Sequence, residues 1–196
     1  MKTIAWDVDD VLNNLMQEWL QKKWCKETKL TVKYEEIIEN PPHKILNISL
    51  DDYLSSLDSF RLSNMYQEMK PDKKIVKWFS KYGHLYRHLA LTSTPLLTAS
   101  TTAQWVFKHF GRWIRTFHFI PSKRNNINAP QYDKDKSEFL LWFSRIDIFI
   151  DDNKKNIDSA KKAGINAVIW PQPWNNSNLS PDETLGLLNV LLVRKA

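Results

Sequence analysis

Apolar residues follow two rhythms along this chain, and their alternation outlines a fold. Thr3 to Val8 is a short β-favouring run ending in acids, which predicts a buried strand delivering Asp7 to its carboxyl end. Residues 11–26 carry Leu12, Leu15, Met16, Trp19 and Leu20 at helical spacing. From there to about residue 70 the pattern breaks up around Pro41-Pro42 and the polar stretch 47–52. Residues 14–70 therefore predict a small, mostly helical insertion. Pro71 is placed to open a helix, because the first turn has spare N–H groups, and Gly83 to close it. Leu85 to Leu91 predicts a second strand, ending at Thr92-Ser93-Thr94-Pro95. A helix over 99–110 stops at Gly111, and Ile114 to Ile120 predicts a third strand. Residues 122–134 are polar, contain Pro130 and predict a loop. A helix over 136–144 follows, with Asp135 as cap and Glu138 three residues on, as in a capping box. Ile146 to Ile150 predicts a strand ending at Asp151-Asp152; a helix over 154–163 closes at Gly164. Asn166 to Trp170 predicts a fifth strand, and Asp182 to Val193 a last helix.

Strands alternating with helices of about ten residues imply an α/β fold, a parallel sheet of about five strands with helices on both faces. Residues 1–13 and 71–196 would form this core, and 14–70 a helical cap inserted after the first strand. Ligands of such sheets bind at the carboxyl ends of the strands. Three strands here end in polar or acidic groups: Asp7/Asp9, Thr92/Ser93 and Asp151/Asp152.

Composition narrows the picture. A length of 196 residues suits one α/β domain with a small insertion. No stretch approaches 18 apolar residues, so no transmembrane helix and no membrane partner is expected. The N-terminal apolar run is broken by Asp7, Asp9 and Asp10, unlike a signal peptide. Cys25 is the single cysteine, which excludes an intramolecular disulfide. A soluble, cytoplasmic protein is the simplest expectation. The net charge of +6 favours anionic partners such as small phosphorylated molecules. It permits nucleic acid without favouring it, since the lysines are scattered and no Arg-rich arm is present. The apolar positions Leu187, Leu188 and Val190 to Val193 allow a homodimer contact beside a monomer.

The acids carry the chemistry. In an extended segment, Asp7 and Asp9 point to the same side. Carboxylates this close repel unless a cation or shared proton offsets them. With Asp151 and Asp152 at the same sheet edge, the donor set is all oxygen, which points to a hard divalent cation, Mg²⁺ for preference. The histidines show no metal-ligand spacing, and four glycines supply no phosphate-binding loop. A carboxylate beside such a cation can attack phosphorus, and a neighbouring acid can protonate the leaving oxygen and then activate water. Thr92 would offer a hydroxyl, Ser93 a backbone N–H and a lysine its charge to the phosphate oxygens. Lys136, in the first turn of its helix where a cation is disfavoured, is the leading candidate. Lys123, directly after the third strand, is its rival, and Lys134 a weaker one.

These residues resemble the haloacid dehalogenase-like phosphohydrolase superfamily. Asp7-Val8-Asp9-Asp10-Val11-Leu12 is similar to its first motif, Thr92-Ser93 to the second, Lys136 or Lys123 to the third, and Ile150-Asp151-Asp152 to the fourth. The resemblance implies a Rossmann-like sheet, Asp7 as nucleophile and Asp9 as acid/base. It implies Mg²⁺ held by the Asp7 carboxylate, the Asp9 carbonyl and the Asp152 carboxylate, with Asp151 in support. A narrower likeness is to the 5'(3')-deoxyribonucleotidases. It is carried by Leu91 to Pro95, by Gln104 to Gly111, and by the stretch from Asp147 to Gly164 that continues to Gln172-Pro173-Trp174-Asn175. That likeness implies a nucleoside monophosphate as substrate, with aromatic cap residues gripping the base. Trp19, Trp24, Tyr53, Phe60 and Tyr66 are the cap aromatics available, and none matches a family position. Another small phosphorylated metabolite, phosphorylated ends of nucleic acid, or non-catalytic binding of a phosphorylated ligand are the alternatives. The chain departs from the family at Asp10, where glycine is usual, and in the longer polar segment 124–135.

Overall fold

The structure is a computed structural model and describes residues 1–124 and 129–193. Its centre is a five-stranded, wholly parallel sheet: β1 (Thr3–Trp6), β2 (Arg87–Thr94), β3 (Ile114–Pro121), β4 (Ile148–Asp151) and β5 (Asn166–Ile169), in the spatial order β3-β2-β1-β4-β5. The fold is α/β. Strand β1 lies in the middle with every residue buried, as a strand covered on both faces requires. The chain builds outward from β1 to β3, then returns to β1's other side for β4 and β5. The order therefore reverses beside β1, where open sheets leave a crevice at the carboxyl ends.

Helices α5 (Lys73–Tyr82), α6 (Leu96–Phe110) and α9 (Pro181–Val193) cover one face; α7 (Lys136–Phe143) and α8 (Lys154–Lys162) cover the other. Trp6, Ile75, Phe79, Trp105, Phe110 and Leu188 meet on the first face. Ala5, Leu91, Phe139, Phe149 and Ile157 meet on the second. Between β1 and α5 stand only helices: α1 (Leu15–Trp19), α2 (Cys25–Thr28), α3 (Leu50–Arg61) and α4 (Asn64–Gln67), with a wide helical turn at Leu20–Trp24 joining the first two. Trp19, Leu20, Trp24, Tyr53 and Phe60 continue the apolar packing of the first face into this insertion.

Several boundaries differ from those predicted. The expected helix over 11–26 begins only at Leu15, because the Asn13 side chain accepts the N–H groups of Asp10 and Leu15 and holds residues 8–12 in a separate wide turn. Helix α5 starts at Lys73 rather than Pro71, since the Asp72 carboxylate caps it by accepting from Lys74 and Ile75. Leu85 is exposed in a tight turn, and β2 runs from Arg87 on through Thr94, two residues past Thr92, paired with Phe119–Pro121. Helix α6 opens at Leu96 with Pro95 as its cap residue. Asp135 caps α7 by accepting from Ser137 and Glu138, but Glu138 returns to the N–H of Lys134 instead of closing a capping box on Asp135. Of the expected loop 122–134, residues 125–128 lie outside the described residues. Among the described residues no helix is long and apolar enough to cross a membrane.

One buried group gives the fold a pH response. The Nδ1 of His88 accepts the Trp6 indole N–H at 3.1 Å, which leaves the Nε2 proton to donate to the Gly83 carbonyl at 2.8 Å. Burial pushes its pKa down to about 4, against the Gly83 hydrogen bond, so the ring is neutral. An unfolded chain takes up this proton near pH 6.5. Protonation therefore favours unfolding, and the stability present above pH 6.5 is lost as the pH falls from there towards 4. Buried carboxyls elsewhere in the fold titrate in the opposite sense, so the His88 contribution is read as a difference. Between pH 7 and pH 5, urea titrations should show the wild type losing about 2 kcal/mol relative to His88→Gln, which keeps one donor and one acceptor.

Candidate active site

The turn after β1 sets up the site. The Asp7 N–H continues the sheet by donating to the Ile150 carbonyl at 2.9 Å, so residue 7 is fixed beside the end of β4. Its Oδ1 accepts from the Val8 N–H and contacts the Lys136 ammonium, both at 2.7 Å. Oδ2 has no protein partner among the described residues. Asp10 then turns the chain with φ 62°, in the left-handed region that Asp tolerates better than most residues. Its side chain accepts from the Met16 N–H at 2.8 Å, near the start of α1, and its carbonyl accepts from Gln172 at 2.6 Å. These two bonds hold Asp10 in that conformation, at the position where the resemblance led to an expectation of glycine. Burial, reinforced by Asp9 and opposed by the Met16 N–H, pushes the Asp10 pKa up to about 8, so at neutral pH the residue is mainly protonated.

Lys136 reaches in from the first turn of α7. Its Nζ lies 2.7 Å from Asp7 Oδ1 and 2.7 Å from Asp151 Oδ2, and its side chain is 2% exposed. Burial works against its charge, but Asp151 and Asp7 outweigh it and raise the pKa. Asp151 is wholly buried and also accepts from the Asn153 N–H and the Asn156 amide. Asp152 accepts from the Trp174 indole at 2.8 Å. The Asn175 amide ties its carbonyl and that of Trp170 together, at 2.7 Å each, which fixes the loop after β5 against the site.

Asp7, Asp151 and Asp152 each offer an oxygen within 4.8 Å of the others, and all three are buried. With all three ionised and Lys136 as the ammonium between them, two negative charges are left over, the charge of one divalent cation. Burial first, then the mutual repulsion of these acids, pushes the carboxyls of Asp7 and Asp152 well above their usual range against the pull of Lys136. Crowded oxygen donors in need of positive charge fit Mg²⁺, with no nitrogen or sulfur to favour zinc.

Asp9 faces the same cavity, though by a different route than strand alternation: β1 ends at Trp6, and the turn aims its carboxylate at the insertion. Arg61 donates to Asp9 Oδ2 from Nε at 3.2 Å and from Nη2 at 2.9 Å; Tyr66 and Asn13 donate to Oδ1. Asp9's side chain is thus apart from the acid trio. Arg61 also pairs with Asp58, which Arg124 grips with two nitrogens, at 2.5 and 3.0 Å. This chain of charges runs from the insertion to the segment after β3.

A cavity of about 260 Å³ brings Asp7, Asp9, Thr92, Ser93, Lys136 and Asp152 together, with Asp10, Asn153 and Asn156 beside them. Asp151 sits behind its wall. Lys123 does not join: it is exposed and lines other depressions outside this cavity. Lys134 does not line the cavity either. Of the cap aromatics, Tyr53 lines the cavity and Tyr66 reaches Asp9, while Trp19, Trp24 and Phe60 are packing residues. Sequence reading missed Arg61 and Arg124. The available signal for Arg61 was a charge four residues after Leu57 and eight after Tyr53, on the apolar stripe of that helix, three residues after Asp58.

No protein-family model matches the chain, and no curated protein matches it. Solved structures do. A haloacid dehalogenase-like family hydrolase from Streptococcus pneumoniae matches with a TM-score of 0.66 at 13% identity, over 97% of this chain and 98% of that one. A HAD-hydrolase from Bacillus subtilis, bound to magnesium, matches with a TM-score of 0.60 at 12% identity, over 98% and 99% of the two chains. A protein described as a phosphoglycolate phosphatase from Lactobacillus plantarum matches at 0.58 and 14%, over 95% and 100%. At such identities the likeness concerns architecture: the chain has the fold of the haloacid dehalogenase-like hydrolases.

Proposed function

We propose that the chain is a Mg²⁺-dependent phosphomonoesterase acting through an aspartyl-phosphate on Asp7. The observation that supports this best is the meeting of Asp7, Asp9, Thr92, Ser93, Lys136 and Asp152 in one cavity, from three strand ends and one helix start. Mg²⁺, held by the carboxylates of Asp7 and Asp152 with Asp151 behind them, would supply the positive charge that a phosphate dianion needs beside so many acids. Asp7 attacks phosphorus, and the P–O ester bond breaks as Asp9, which must first leave the Arg61 fork and take up a proton, gives that proton to the leaving alcohol. Asp9 then takes a proton from water, which attacks the aspartyl phosphate, frees inorganic phosphate and restores the Asp7 carboxylate. The Thr92 hydroxyl and the Lys136 ammonium stand where phosphate oxygens would be held. Arg61 and Tyr66 hold the Asp9 side chain from the insertion, so the cap takes part in placing the acid/base.

Substrate choice rests on the cavity's apolar lining. Leu15, Met16, Pro41, Tyr53, Leu54 and Leu57 give it an apolar surface with one aromatic ring. That suits a planar base, and a nucleoside monophosphate is the substrate this reading favours. The Asp58–Arg124 pair bridges the insertion to the core beside the cavity, which supports a small molecule over the end of a polymer. Phosphate release should be measured across nucleoside monophosphates, phosphoglycolate, sugar phosphates and phosphorylated oligonucleotides. Turnover should be highest with nucleoside monophosphates and vanish when EDTA removes the metal. Turnover that survives EDTA would sink the metal assignment; a preference for phosphoglycolate or sugar phosphates would sink the nucleotide reading.

A further inference from the structure

The opposite end of the sheet holds a second depression, of about 530 Å³, at the amino ends of the strands. Thr3 and Arg87 open β1 and β2, and Arg115 is the second residue of β3. Arg87, Arg112, Arg115 and Arg145 line it. Six arginines fall within the described residues, and these are four of them. The other two, Arg61 and Arg124, are matched to carboxylates. Their four guanidinium groups have no ion pair or hydrogen bond among the described residues, and no carboxylate lines the depression. Asp147, the nearest acid in sequence to Arg145, is engaged by the Thr3 N–H at 2.7 Å. No basic run in the sequence announces this cluster; the fold assembles it from three separate segments.

Its aromatic wall is formed by the half-buried Trp113 and Tyr86. Trp113 packs directly on the Gly83 backbone, where a Cβ would stand 2.8 Å from the indole Cδ1. The Gly83 carbonyl is held in turn by His88. Arg112 places its guanidinium 5.7 Å from the Trp113 ring centre, a cation–π distance. Tyr86 lies nearly parallel to Trp78, at 15° and 6.2 Å.

Four guanidiniums gathered with no carboxylate in the lining repel one another, and they suit an anion that answers several of them. Guanidinium forks match phosphate oxygens, and aromatic faces take planar bases. One phosphate monoester carries at most two negative charges, whereas several linked phosphates can meet all four arginines. We propose that this depression is a second binding site for a ligand with several phosphates and a planar base, either a nucleoside polyphosphate or a run of single-stranded nucleic acid. It is separate from the catalytic cavity: Thr92 stands five positions beyond Arg87 along β2, about 17 Å of strand. The proposal does not depend on the catalytic reading.

The test measures fluorescence anisotropy with a labelled oligothymidylate and, separately, a labelled ATP analogue, at about 50 mM salt. The wild-type protein and the double variant R112E/R115E are compared. The wild type should bind at least one probe, with affinity that falls as salt rises, and the tighter probe names the source of the phosphates. The variant should lose tenfold or more, while its thermal melt and its hydrolysis of p-nitrophenyl phosphate match the wild type. Failure of the wild type to bind either probe, or a loss below tenfold in the variant, would overturn the proposal. Binding at the catalytic cavity would persist in the variant and so count against it.

Discussion

Asp7→Asn should lower phosphate release by about 10³-fold or more without unfolding the protein. The amide keeps the size of the carboxyl group, and its carbonyl oxygen can still accept from Val8 and Lys136, the two contacts now made by Oδ1 at 2.7 Å each. What it cannot do is form the covalent bond to phosphorus, and removing a nucleophile is among the largest single losses an enzyme shows. Stability should move the other way. Asp7 is buried, and its neighbours Asp151 and Asp152 repel it, so its charge is costly when no cation is bound. In EDTA the variant should therefore melt at or above the wild-type temperature. Mg²⁺ should raise the wild-type melting temperature through binding to the folded state, and raise that of the variant by less, because one ligand oxygen has lost its charge. Paired measurements of phosphate release and thermal melting, with and without Mg²⁺, read both effects. Near-native turnover in the variant would remove Asp7 from the nucleophile role.

The parts of this protein that could be read from its sequence are those where local pattern and global fold agree. Strand β1 was legible because four buried residues run straight into acids; β4 likewise announced Asp151 and Asp152. Parallel pairing followed from the alternation of elements, and with it the convergence of strand ends. What stayed hidden depends on side chains that reach across the fold. Nothing local says that Arg61 will cross from α3 to Asp9, 52 residues away in sequence, or that Arg124 will return to Asp58. The boundaries that shifted did so for the same reason. Asp72 and Asn13 redirect backbone N–H groups through their side chains, and periodicity of apolar positions is blind to that. The choice between Lys136 and Lys123 needed three dimensions too, since both stand near an expected strand or helix terminus and only one points inward.

Separate replacement of those two lysines should divide them sharply. Lys136→Met preserves the length and apolar stem but removes the ammonium that now sits 2.7 Å from both Asp7 and Asp151. Breaking a buried ion pair by deleting one partner costs about 3–5 kcal/mol, because the remaining charge is stranded. Here two carboxylates lose their partner at once, and Asp152 stands within 4.8 Å of both. In EDTA the variant should melt well below the wild type, and Mg²⁺ should recover a larger share of stability than in the wild type, since the cation would then be the main counter-charge. Turnover should still fall by about 10²–10³-fold with saturating Mg²⁺, the loss typical of removing a preorganised group that stabilises transition-state charge. Lys123→Ala should stay close to wild type in both assays, because its side chain is exposed and outside the catalytic cavity. Equal and mild losses from the two substitutions would mean that neither lysine carries the phosphate. A Lys136→Met protein that melts normally in EDTA would show that the three acids are not held charged against one another, and the case for a cation between them would lose its electrostatic basis.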